Sequence, residues 1–303
     1  MVVKRFQEIL DTLKADKEKR RVAVVGAEDD HTLHAVINAW QDGLIHPVLL
    51  GNRIEIEKVL ETYGQKERDF EIIAVSSPEE GAREAARMVN RGQADCIMKG
   101  KIQTGALMKV LLDKESDLRT GRLISLVALM EVPAYHKLFA ITDVGIVTYP
   151  TLEQKKELIA NAVDVFHSLG ISNPKVGLMA AVEEVNPKMP ETIDAATLKE
   201  WNKQGLIQGC IVEGPISLDL AVSKEAARIK GFESEVAGDV DIMVVPEIVA
   251  GNMLAKALIQ FCGAKTAGVV VGARVPLVIQ SRSASHEEKY LALALAALMQ
   301  ARR

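Results

Sequence analysis

The chain has 303 residues, 48% hydrophobic and 26% charged, the balance of an ordinary globular protein long enough for two domains. Aromatic residues make up only 4%, and the net charge of −4 comes from interspersed charges of both signs. This argues against stacking surfaces for single-stranded nucleic acid and against general nucleic-acid or anionic-membrane binding. The cysteines, Cys96, Cys210 and Cys262, are far apart and form no CxxC pair, so neither a disulfide framework nor a zinc knuckle is expected. Reduced thiols and no secretory leader point to the cytoplasm.

Phe6, Ile9, Leu10 and Leu13 recur at helical spacing and predict an amphipathic surface helix at the start. Short apolar runs then alternate with helical patterns. Strands are predicted at 21–26, 47–50, 71–75, 96–99, 126–130 and 138–142, then at 175–179, 209–212, 241–245, 266–271 and 276–279. Continuous apolar strands separated by helices mean βαβ units and a mostly parallel sheet. Ser77-Pro78-Glu79-Glu80 reads as a capping box opening a helix to about Asn90. Helices over 152–169 and 218–230 stop at Gly170 and Gly231, where a left-handed residue ends a helix readily. Pro246 and Gly251 break the chain after the 241–245 strand, and a helix is expected to open at Asn252. Ser285-His286-Glu287-Glu288 is a second capping box. It opens a last helix whose 290–299 run is apolar almost all round, too short to span a bilayer and so buried. The expected division is a first α/β domain of residues 1–136 plus 283–303, discontinuous because the last helix returns to it, and a second of residues 137–282.

Several signatures are missing: there is no Walker loop, GxGxxG, GxSxG elbow or HExxH, and the six histidines are dispersed. Polar clusters instead fall at strand ends, where open parallel sheets place ligand sites. Lys99-Gly100-Lys101 with Thr104 is either an anion cradle or a solvated turn. Asp143, after Thr142, could orient a base or cap. The segment Glu183-Glu184-Val185-Asn186-Pro187-Lys188-Met189 is a site rim or a helix lead-in. In Glu213-Gly214-Pro215 the proline should stop the strand, and Asp219 follows in a first helical turn. Two elbows, Pro246–Asn252 followed by Lys256, and Ser281-Arg282, each open a helix whose free N–H groups suit phosphate or a related oxyanion.

Taken in order, these clusters resemble the phosphate acetyltransferase/phosphate butyryltransferase family, closest to the butyryltransferase branch. The matching segments are Lys99-Gly100 with Thr104, Ile141-Thr142-Asp143, Ala181 to Met189, Gly209 to Pro215 with Leu218-Asp219, Lys230-Gly231 with Ser234, Pro246 to Lys256, and Ser281-Arg282. They run from about Cys96 to the C-terminus. The resemblance implies two α/β domains with mostly parallel sheets and a cleft between them, as in the isocitrate and isopropylmalate dehydrogenases. It implies the reaction acyl-CoA + phosphate ⇌ acyl phosphate + CoA on a short acyl group, in a direct ternary complex without metal. No cofactor is permanently bound, coenzyme A being substrate and product. The expected partners are small molecules, with no nucleic acid or membrane, and the resemblance implies a homodimer or higher homo-oligomer.

By the same resemblance Ser281 stabilises the developing charge and Arg282 binds phosphate. Lys99, Gly100, Thr104, Asp143, Asn186, Glu213, Gly214, Pro215, Gly251, Asn252 and Lys256 are carried over as substrate-binding positions. Fixed donors are what an oxyanion needs where charge grows. The base that takes the CoA proton is Glu287 or Glu288. The acetyltransferase branch places a carboxylate seven after the serine, here Glu288. The butyryltransferase branch has Asp three after and Glu six after, here Ala284 and Glu287. Glu288 is also the capping-box partner of Ser285. Two alternatives stand beside this reading. One is an isopropylmalate-type dehydrogenase, disfavoured for want of an aspartate cluster around a divalent metal. The other is a non-catalytic CoA/phosphate-binding relative, motivated by Ala284.

Overall fold

The computed structural model describes residues 2–281 and 284–301. It contains two compact units. The first is built on Gln7–Arg122 with the chain from Ala267 on, the second on Leu123–Thr266 with the first residues up to Phe6.

In the first unit α1 (Phe6–Ala15) buries Ile9 and Leu13, the apolar face its spacing predicts. Next come β1 (Arg20–Val25), α2 (Asp30–Gln41), β2 (Ile45–Gly51), α3 (Arg53–Thr62), β3 (Glu71–Ala74), α4 (Pro78–Asn90), β4 (Cys96–Lys99) and α5 (Thr104–Leu111). The strands lie in the order β3-β2-β1-β4, all parallel. Runs such as Val22–Val25 and Val48–Leu50 are buried, as strands covered on both faces must be. Ser77 caps α4 from the Glu80 N–H, with Pro78 in the first turn, but the Glu80 carboxylate reaches Ser76 instead of Ser77.

The second unit comprises β5 (Ser125–Glu131), β6 (Phe139–Thr142), α6 (Leu152–Ser168), β7 (Lys175–Met179), α7 (Pro190–Lys203), β8 (Ile211–Ile216), α8 (Leu218–Val222), α9 (Lys224–Lys230), β9 (Ile242–Val244) and α10 (Ile248–Cys262). Its strands run β5-β6-β9-β7-β8, antiparallel between β5 and β6 and parallel elsewhere. The chain then makes β10 (Lys265–Val271), β11 (Leu277–Val278) and α11 (His286–Ala301). β11 pairs parallel with β4 and antiparallel with β10, and α11 packs on α2 with Leu291–Met299 buried. The fold is therefore mixed α/β with mostly parallel strands. No helix among the described residues is long and apolar enough to cross a membrane.

The units divide at Arg122–Leu123 and Thr266–Ala267, where the sequence suggested 136/137 and 282/283. Pairing explains the difference: β5 forms a hairpin with β6, and β11 joins β4. Pro215 does not stop its strand. β8 continues through it to Ile216, because β8 ends the row of strands and proline's missing N–H is tolerated on such a strand. The helix predicted over 218–230 is two helices, parted at Ser223, whose side chain caps α9 from the Ala226 N–H. The helix expected to open at Asn252 opens at Ile248 instead. Glu247 caps it by accepting from the Val249 and Ala250 N–H groups.

Candidate active site

The carboxyl ends of three neighbouring strands of the first unit, β1, β4 and β11, border a cavity of about 510 Å³. It is lined by Asp29 and Thr32 after β1, by Lys99 to Gln103 after β4, by Gln280 and Ser281 after β11, and by Pro78, Glu79 and Lys289. The loops after β1 and β4 are zipped together. The Gly100 N–H donates to the Val25 carbonyl at 2.8 Å and the Lys101 N–H to the Gly26 carbonyl at 2.7 Å. A Cβ on Gly100 would lie 2.2 Å from the Gly26 oxygen, so only glycine fits. These two amides are therefore spent on the neighbouring loop. Gln103, which lines the cavity and precedes α5, makes no side-chain cap on that helix. Thr104 is exposed in its first turn. Lys99 is nearly buried, its ammonium 3.4 Å from the Gly100 carbonyl.

Asp29 caps α2, accepting from the Thr32 N–H at 2.9 Å and from the Thr32 hydroxyl. Lys289, in the first turn of α11, reaches the same Asp29 oxygen at 3.4 Å. Burial pushes the Asp29 carboxyl up, but the Thr32 hydrogen bonds and the Lys289 ammonium outweigh it and hold it below its ordinary value. Sequence reasoning missed this pair. The signal available was a lysine standing directly before the apolar 290–299 run of a helix that must be buried.

Ser281 lines the cavity, and Gln280 ties the turn to β10 by donating to the Gly268 carbonyl at 2.9 Å. Arg282 lies outside the described residues. The second capping box is formed: the Ser285 N–H donates to the Glu288 carboxylate at 2.9 Å and the Glu288 N–H to the Ser285 hydroxyl at 3.2 Å. Glu287 is exposed one residue before.

The remaining predicted positions belong to the second unit. Asp143 is 2% exposed and accepts from the Leu126, Gly145 and Ile146 N–H groups at 2.7–2.8 Å. Burial pushes its carboxyl above the usual range, against those backbone donors. Gly251 and Asn252 meet the same loop. A Cβ on Gly251 would lie 2.5 Å from the Asp143 carbonyl oxygen, and the Asn252 amide donates to the Val144 carbonyl at 3.0 Å. Lys256 is exposed one turn further along α10.

Glu213 is buried, ion-paired with Lys199 and bonded to the Gly214 N–H. Gly214 lets β8 approach β7, since its Cβ would fall 2.6 Å from the Leu178 Cβ. The Gly214–Pro215 peptide is cis. Asn186 accepts from the Lys188 N–H at the lead-in to α7. It also lines a second cavity, of about 680 Å³, where Glu183 joins Ser217 and Lys230. So Lys99, Gly100 and Ser281 share one cavity, while Asp143, Gly251 and Asn252 form one knot and Asn186 stands at another cavity. Among the described residues no three His, Cys, Asp or Glu side chains are grouped to hold a metal ion.

A protein-family model described as phosphate acetyl/butaryl transferase matches residues 79–297. The chain is 44% identical to the phosphate acetyltransferase of Thermotoga maritima over 97% of this chain and 99% of that one. It is 42% identical to the phosphate butyryltransferase of Clostridium acetobutylicum over 98% and 99%. Among solved structures it resembles a branched-chain phosphotransacylase from Enterococcus faecalis V583, with a TM-score of 0.84 and 34% identity over 93% of this chain and 99% of that one. A 4-hydroxythreonine-4-phosphate dehydrogenase from Burkholderia phymatum, TM-score 0.57 and 13% identical over 93% and 99%, shares the fold alone.

Proposed function

Because this chain belongs to the phosphate acetyl/butaryl transferase family, we propose that it catalyses acyl-CoA + phosphate ⇌ acyl phosphate + CoA on a short acyl group. The observation that carries the reading is the meeting of Ser281 with Lys99 and Gly100 around one cavity at strand carboxyl ends, from segments far apart in sequence. In the forward direction a phosphate oxygen attacks the thioester carbon, an oxyanion grows, and the CoA thiolate leaves. In reverse the thiolate attacks the acyl phosphate. Both reactants sit in one complex, so proximity replaces a covalent intermediate.

Ser281 and Arg282 serve the growing oxyanion and the phosphate. A thiol with a pKa of about 8.5 needs only modest help from a base. Glu287 or Glu288 gives that help, and Glu288 also accepts from the Ser285 N–H in the capping box. Thr104, Asp143, Asn186, Glu213 to Pro215, Gly251, Asn252 and Lys256 enter the proposal, with Lys99 and Gly100, as substrate-binding positions. The isocitrate/isopropylmalate dehydrogenase-like fold is proposed as well, supported by the fold likeness to the Burkholderia 4-hydroxythreonine-4-phosphate dehydrogenase.

We also place the protein in the cytoplasm as a homo-oligomer, most simply a dimer. The support is three free cysteines and the exposed apolar side chains of α10: Val249, Met253 and Phe261. A stable monomer by light scattering at micromolar concentration would refute the oligomer. The function is tested by thiol release from acetyl-, propionyl-, butyryl- and isobutyryl-CoA with and without phosphate. No phosphate-dependent release from any of them would sink it.

A further inference from the structure

The cavity of the first unit holds a cation that this reaction scheme does not use. Lys289 is 5% exposed, eight residues beyond Ser281, and lines the same cavity. A buried ammonium is costly unless it is paired. Among the described residues Asp29 is its one side-chain partner, and the Nζ–Oδ2 distance of 3.4 Å is long against the roughly 2.8 Å of a strong charge-assisted bond. That Asp29 oxygen also accepts the Thr32 N–H and hydroxyl. An ammonium carries three donors, so Lys289 has donors left for whatever enters the cavity. Among the described residues the charged lining is three lysines, Lys99, Lys101 and Lys289, against two carboxylates, Asp29 and Glu79. The space thus favours an anion with several acceptor oxygens.

We propose that Lys289 is a phosphate-binding residue of this site, held in place by Asp29, with its ammonium donating to the oxygens of the substrate phosphate beside Ser281. This rests on the reading given under Proposed function. The diphosphate of CoA has the same chemistry, and the experiment separates the two sources.

Wild type and Lys289→Met are melted across a titration of inorganic phosphate and assayed with both substrates varied. Phosphate should raise the wild-type melting temperature and leave that of the variant nearly unmoved. The KM for phosphate should rise roughly ten- to hundred-fold, the scale of one charged hydrogen bond, with the KM for acyl-CoA nearly unchanged. Methionine leaves Asp29 without its cation. Should Lys289→Met not fold, the double variant Asp29→Asn/Lys289→Met, which removes both charges, is read in the same way. An unchanged phosphate KM in a folded variant, a rise in the acyl-CoA KM alone, or a wild type that phosphate does not stabilise would each overturn the proposal. If the wild type turns over no acyl-CoA, the functional reading fails, while the melting shifts still decide whether Lys289 binds phosphate.

Discussion

Gly100 stands directly against Gly26: a Cβ built on Gly100 would lie 2.2 Å from the Gly26 carbonyl oxygen, and one on Gly26 would lie 2.8 Å from the Lys101 nitrogen. This contact sets the spacing between the loops that carry Asp29 and Lys99. Gly100→Ala must push rigid backbone aside and should cost on the order of 1–3 kcal/mol of stability, together with most of the activity. Gly43→Ala is the control. It has φ +66 with nothing near its Cβ, so it should cost only backbone strain, about 1 kcal/mol, and leave turnover intact. Urea denaturation and the thiol assay on both variants check this; equal losses would argue against the loop contact.

Ser281→Ala should lower kcat by roughly 100-fold, the scale of one oxyanion donor. Arg282→Lys should keep CoA binding but raise the phosphate KM, because lysine cannot reproduce a forked pair of donors. Steady-state kinetics with each substrate varied in turn distinguish the two. An unchanged phosphate KM in the lysine variant would count against Arg282.

Glu288→Gln should leave stability nearly unchanged, since glutamine still completes the capping box with Ser285. If Glu287 is the base, Glu288→Gln also keeps its rate, while Glu287→Gln slows acyl-phosphate-to-CoA transfer most at low pH. Raising the pH should then rescue Glu287→Gln, because free thiolate grows about tenfold per unit below the thiol pKa. Wild-type rates across pH in both single variants and in the double variant would dismiss the pair and turn attention to Asp143.

Asp239 of the second unit is met by Lys175, Lys137 and His136. Burial alone would raise its carboxyl, but hydrogen bonds from Lys175, Lys137 and His136 overcome that and hold it far below the ordinary range. A carboxylate with a depressed folded pKa contributes stability that is present above its unfolded pKa of about 3.9 and is lost as pH falls toward the folded value. Asp239→Asn should therefore destabilise by about 2 kcal/mol at neutral pH, and the gap from wild type should narrow on acidification below about pH 4. Urea midpoints at neutral and acid pH measure it. A gap that widens in acid would reverse the assignment.

The alternation of strands and helices was legible because runs such as Val22–Val25 and Ile97–Met98 are apolar on both faces. Lys99-Gly100 and Ser281 were legible as polar residues at strand ends. Asp29 and Lys289 were not, because they meet only once β11 has paired with β4 and β4 with β1, a long-range event that no local pattern encodes. The start of α10 was misplaced because its cap is Glu247, a side chain longer than the usual Ser, Thr, Asp or Asn. Pro215 misled because its tolerance depends on β8 having a single neighbour in its row.

The pairing of Leu277 with Ile97 also imposes an order of assembly. Residues Leu123–Thr266 of the second unit lie between these partners, so that unit can be made and folded while the first unit still lacks β11 and α11. Residues Gln7–Arg122 of the first unit are made before the body of the second, yet the first unit closes last, after a long loop has been brought together. Until α11 arrives, the face of α2 on which it packs stays bare on the ribosome. Such late-covered surface is where a growing chain is most prone to aggregate and most in need of a chaperone.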